Sequence, residues 1–239
     1  GHPTTAALTI RDPQGRIYPT QSKRLAPDFG FHPQVYRADG ESIRLPAGDY
    51  TIECNRGPEY LPASASVHMG TRGSRVSFKL ERWIDPPASG YYGGDHHIHG
   101  AGCAHYTIPT EGVTPGDMFR QVKGEGLNVG CVLTWGPCFR FQRQYFSPRP
   151  NDLSEPDTLL KYDLEISGFG SQALGHVCLL NLRNQEYPGS DGLETKGWPS
   201  WTLPVMKWTK EQGGYTGYAH SASGLHIDPA AATKRAESA

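Results

Sequence analysis

The chain has 239 residues, a formal net charge of −1, and 36% hydrophobic and 20% charged residues. That is enough for a real core, in one large domain or two modest ones, and it argues against nucleic acid or an anionic membrane held by bulk charge. No apolar run approaches the roughly 18 residues of a membrane span, and the 29 glycines and 20 prolines are scattered, which points to turns rather than disorder. The first residue is Gly1 rather than Met, so a processed chain or a fragment is expected. Its five cysteines (Cys54, Cys103, Cys131, Cys138 and Cys178) lack C-x-x-C spacing and leave at least one thiol unpaired.

Up to about residue 85 the pattern is strands and turns. Ala7–Arg11 alternates in part, and Asp12-Pro13-Gln14-Gly15 and Arg37-Ala38-Asp39-Gly40 are turns. Asp49–Cys54 follows Leu45-Pro46-Ala47-Gly48, and Ser74–Trp83 sets Val76, Phe78 and Leu80 on one face. No helix of useful length is expected here, and closely spaced strands predict a small antiparallel sandwich. Asp85–Gly90 reads as a linker. Beyond it, Thr114-Pro115-Gly116-Asp117 carries a cap residue, Pro at the first helical position and an acid at the third. This predicts a helix to about Glu125, ended by Gly126. Leu127–Thr134, Leu160–Ile166 and His176–Leu182 are strand candidates. Pro204 opens another helix that stops at Gly213-Gly214, before a last strand at Tyr215–Ala219. Helices alternating with buried-looking strands predict an α/β layer or barrel. The tail after Asp228 is polar and Ala-rich.

Four of the ten histidines fall between His96 and His105. On a strand, residues two apart point the same way. His97 and His99 therefore aim two imidazoles at one point, while His96 and Ile98 face the other side. Neutral imidazole suits zinc, iron and nickel, and Asp95 is placed to accept from a ligand's other ring nitrogen. The plain alternative is a solvated histidine cluster. Glu165 near one strand end and His220 after another fit the rule that site residues gather at the carboxyl ends of strands. His176 fits less well, since it precedes its apolar run. Singly, Glu165 is equally a surface acid, His176 a satisfied core histidine and His220 a turn residue. Their combination sharpens the metal reading.

At Asp95-His96-His97-Ile98-His99 the chain resembles the D-x-H-x-H opening of the polymerase-and-histidinol-phosphatase (PHP) family of metallohydrolases. Glu165-Ile166-Ser167 with the following His176 looks like that family's bridging-acid segment, and Ala219-His220 like its later A-H ligand position. Leu45–Tyr50 is similar to carboxypeptidase-regulatory-like β-sandwich modules, and the pairing of the two is similar to the CehA/McbA-type metallohydrolases. The resemblance implies a two-domain α+β protein. Residues 1–85 would form an antiparallel β-sandwich and residues 91–239 a distorted PHP-type α/β barrel, for which that length is short. It also implies a metal set of His97, His99, Glu165, His176 and His220, and export from the cell. Two departures reduce the expected count to one or two ions. The family's Thr-Asp-His is replaced by Thr134-Trp135-Gly136, and its late Asp-x-His by His226-Ile227-Asp228. His105 and Glu111 are candidate replacements.

The expected chemistry is hydrolysis of a phosphoester, carbamate, ester or amide in a small-molecule or carbohydrate-derived substrate. Water would be activated on zinc, iron or manganese, with Glu165, His220 and His105 as catalytic candidates. Arg140 and Arg143 are candidates for an anion clamp or are solvated loop residues. Cys103-Ala104-His105 is a weak nucleophile–base pairing, and His220-Ser221-Ala222-Ser223-Gly224 is not G-x-S-x-G. Trp198, Trp201 and Trp208 read as core and rim, or as a sugar-binding face. The competing class is a non-catalytic carbohydrate- or protein-binding protein with a degenerate barrel.

Overall fold

In the N-terminal part, buried and exposed residues alternate along extended segments, and the period of two sets which face packs inward. The computed structural model of the chain describes residues 2–100, 112–134, 138–166, 176–190 and 196–219. Strands β1 (Thr5–Arg11), β2 (Ile17–Tyr18), β3 (Val35–Ala38), β4 (Gly48–Asn55) and β6 (Ala63–Met69) form one antiparallel sheet. Within it β1 pairs with β2, β3 and β4, and β4 pairs with β6. β5 (Tyr60–Leu61) and β7 (Glu81–Arg82) make a separate two-stranded ribbon. Tyr50 and Ile52 of β4 join Ile10 of β1 in the core of this sheet.

The expected second sheet of a sandwich is replaced by irregular cover. Of Ser74–Trp83 only Glu81–Arg82 is paired. Val76 and Phe78 nevertheless pack half-buried against Ile10, Tyr50 and Ile52, beside Ile43 and Leu45. The alternation was real, but an apolar face requires covering rather than a ladder.

The linker is a short 3-10 turn at Pro86–Ser89, closed by Gly90 at φ 79°. β8 (Gly94–His99) follows, then α1 (Pro115–Gly124) and β9 (Val129–Thr134). The cap on α1 is the one its sequence announces. Thr114 Oγ1 accepts from the N–H of Asp117, whose carboxylate accepts from the N–H of Thr114. Gly126 stands past the helix end at φ 66°. A short helix not anticipated from sequence, α2 (Cys138–Gln142), precedes β10 (Leu159–Ile166). β11 (Val177–Leu180), α3 (Thr202–Glu211) and β12 (Tyr215–Tyr218) complete the described chain. The second sheet has the order β12-β11-β10-β9-β8. Strands β8, β9 and β10 run parallel, while β11 is antiparallel to both β10 and β12. The protein is thus a mixed α+β fold, and among the described residues this second sheet is open, with β12 and β8 at its edges.

Helix packing assigns the faces of that sheet. Met118, Phe119 and Val122 of α1 pack on Val132, Leu160 and Tyr162. Phe139 of α2 and Val205 and Trp208 of α3 pack on Leu164, Ile166, Val177 and Leu179. All three helices therefore cover one face. The opposite face carries the intervening residues, with Cys131, Leu133 and Cys178 as its apolar patch. α1 also closes against the first sheet. The Tyr36 hydroxyl donates to Glu125, and Arg120 pairs with Glu41.

Candidate metal centre

On β10 the sequence Leu160-Lys161-Tyr162-Asp163-Leu164-Glu165-Ile166 alternates strictly. Leu160, Tyr162, Leu164 and Ile166 lie in the helix-facing cores, which puts Lys161, Asp163 and Glu165 on the other face. β8 reaches the same region through a bulge. Asp95 pairs with Gly130 and Ile98 with Val132, so three steps on β8 match two on β9. The extra residue sits at His96-His97, where bulges commonly re-aim a side chain. Inside it, the N–H of His97 donates to Asp95 Oδ1 at 2.9 Å. Asp95 thus serves a backbone donor of a candidate ligand, rather than the ring nitrogen expected from sequence. Ile98 packs with the α1 core, and His97 and His99 turn toward Glu165.

Three atoms converge there. His97 Nε2 lies 2.8 Å from Glu165 Oε2, His99 Nε2 lies 3.2 Å from the same oxygen, and the two nitrogens are 3.0 Å apart. Donors about 2.0–2.1 Å from a tetrahedral zinc stand roughly 3.3 Å from one another. Seating such an ion therefore requires the triangle to open by only a few tenths of an ångström. His97, His99 and Glu165 form the one group of metal-ligating side chains found among the described residues.

His176 lies just before β11, and its Nδ1 donates to the other oxygen, Glu165 Oε1, at 3.0 Å. Its position before an apolar run, awkward for a sheet with every strand parallel, has a simple cause. β11 is antiparallel to β10, with Ile166 opposite Val177 and Glu165 opposite Cys178. The start of β11 therefore lies beside the end of β10. β12 runs back alongside β11 and ends nearby, where the N–H of Ala219 donates to the carbonyl of His176 at 3.0 Å. His220, His105, Glu111 and Cys103 lie outside the described residues.

The Glu165 side chain is only 4% exposed, against 15% for His97, 32% for His99 and 26% for His176. Burial by itself would raise its pKa. Hydrogen bonds from His97, His99 and His176 outweigh burial and hold the carboxyl far below the usual carboxylate range. A buried carboxylate ringed by imidazoles stays anionic, as a metal ligand must.

Other expectations resolve more simply. Arg143 is committed to Glu186 at 2.6 Å, and Arg140 is exposed. Trp208 is buried and Trp198 packs against Phe139, Tyr187 and Trp208, while Trp201 is 57% exposed. Cys54, Cys131 and Cys178 are unpaired buried thiols. Sequence reasoning overlooked Lys161 and Asp163. The signal was available as charged residues alternating with large apolar ones within a single strand. No known protein family, curated protein or solved structure matches this chain.

Proposed function

We propose that this chain is a metal-dependent hydrolase of the PHP type, holding one or two divalent ions of zinc, iron or manganese. The observation that carries the reading is the triangle of His97 Nε2, His99 Nε2 and Glu165 Oε2, with edges of 2.8–3.2 Å. A binding scaffold gains nothing from burying a carboxylate under converging imidazoles, whereas a metal site needs that donor set.

A bound ion would lower the pKa of coordinated water toward ~7 and polarise the electrophile. The chain's own residues supply the remainder. His97 and His99 present nitrogen donors from β8, and Glu165 presents Oε2 from β10. Glu165 Oε1 faces His176 instead, so the carboxylate can bridge two ions or be held by the His176 proton. Asp95 fixes the backbone of His97 and with it the angle of the first donor. The substrate would be a small phosphoester, carbamate, ester or amide, including carbohydrate-derived ones. His220 and His105 remain the proposed sources of a proton for the leaving group. Closure of the second sheet into a distorted barrel, and export from the cell, belong to the same proposal.

The test is elemental analysis of protein purified without added metal, for wild type and for His97→Ala/His99→Ala. About one or more equivalents of zinc, iron or manganese, lost in the variant, is the expected result. No bound metal and no uptake on titration would refute it and point to a non-catalytic binding protein.

A further inference from the structure

Behind the donor cluster, on the same face of β10, lies a second polar group that touches no candidate ligand. Asp163 is fully buried and Lys161 nearly so. Asp163 Oδ2 accepts the N–H of Asn181 at 2.7 Å, and Oδ1 accepts the N–H of Leu182 at 3.2 Å. Oδ1 also accepts from Lys161 Nζ at 3.1 Å and from Gln185 Nε2 at 3.3 Å. Lys161 and Gln185 in turn both donate to the carbonyl of Ser147, at 2.7 and 3.0 Å. Every member is paired, as a buried polar network must be to avoid a net cost.

Its position gives it a task. Asn181 and Leu182 follow immediately after β11, which is only four residues long. Asn181 turns there with φ 57°, the one left-handed non-glycine residue found in the described chain. β11 is therefore gripped at its far end by Asp163, while its near end delivers His176 to Glu165. The ladder between the strands has three registered pairs. A slip of two residues would keep every side chain on its proper face but move His176 about 7 Å along β10, out of reach of the carboxylate. The backbone clamp breaks that degeneracy.

We infer that Asp163, charge-balanced by Lys161 and braced by Gln185, is a positioning residue that sets the register of β11 and so places His176 against Glu165. The inference rests on the metal-centre reading for its consequence, but its structural content does not need a metal.

The test measures zinc affinity by chelator competition in the full chain for Asp163→Asn, His176→Ala and the combined variant. Asp163→Asn should weaken zinc binding roughly tenfold, within the range that supporting residues contribute. In the His176→Ala background it should cause no further loss, whereas its effect on unfolding stability should persist. A role in folding alone would leave the tenfold loss undiminished without His176, and would overturn the inference. Because Asp163→Asn leaves a buried ammonium with a weakened partner, Asp163→Leu/Lys161→Met provides a second variant without a stranded charge, for which the same pattern is expected. In metal-free protein, the imidazole ¹⁵N signals of His176 should report loss of its bond to Glu165 in both variants. Unchanged signals in a folded variant would overturn the inference. If wild type takes up no zinc, the metal-centre reading fails, and the His176 signals alone decide the register role.

Discussion

Gly57→Ala tests whether the two sheets form one cooperative structure. Gly57 follows β4 at φ 73°, and a Cβ there would fall 2.0 Å from the carbonyl oxygen of Glu125 and 2.9 Å from its carbon. Both obstacles are backbone, at the capped end of α1. The approach is reciprocal, since a Cβ on Gly126, at φ 66°, would lie 2.6 Å from the carbonyl oxygen of Arg56. The left-handed conformation costs an alanine about 1–2 kcal/mol, and forcing the contact apart adds about 1–3 kcal/mol. Reduced entropy of the unfolded chain returns about 0.4–1 kcal/mol, for a net loss near 3 kcal/mol. In a chain of this size that lowers Tm by about 6–12 °C. Gly40→Ala is the control, having φ 82° but nothing within 4 Å of its Cβ, so it should show the conformational cost alone. The assay is calorimetric unfolding of the full chain, and one transition should shift as a whole. A Gly57→Ala loss no larger than that of Gly40→Ala would refute the close approach, and two transitions of which only one moves would refute cooperativity.

In metal-free protein, the depressed Glu165 carboxyl should contribute stability that is complete above the ordinary carboxylate range and lost as pH falls below it. Glu165→Gln should flatten that acid limb in urea melts, and an unchanged limb would contradict it. Burial pushes the Cys54 thiol up to about 11, and burial with nearby charges pushes Cys131 and Cys178 up to about 12. At pH 8 all three should resist iodoacetamide in the native chain and react once it unfolds, as read by peptide mass mapping. Asp95→Ala removes the acceptor for the N–H of His97. It should cost at most about 1 kcal/mol of stability yet weaken zinc binding roughly tenfold; unaltered affinity would show that the bulge holds its shape without that side chain.

Local chemistry made much of this architecture legible. Thr114, Pro115, Asp117 and Gly126 mark both ends of α1, because caps and breakers act within a few residues. The apolar runs of β9, β10 and β11 stand out because helices bury one side of their sheet and the donor face is largely closed as well. His97 and His99 could be assigned a common target from strand periodicity alone. The direction of β11 was not legible, since a run of Val, Cys and Leu reads the same either way, and so His176 looked misplaced. Nor was the bulge, which exists only as a mismatch with β9. The roles of Asp163 and Asn181, eighteen residues apart, depend on a strand pairing that no local pattern encodes.

The reversal of β11 also has a consequence for variation. The chain leaves β10 beside Glu165 and enters β11 beside His176, so the connection between them begins and ends at the rim of the donor cluster. The end of β10 and the residue before β11 both carry side chains of the cluster, so these two strand ends cannot separate without parting His176 from Glu165. Substitutions that shift either of these ends therefore act on the donor cluster directly, whereas those at the far end of β11 act through its backbone bonds to Asp163.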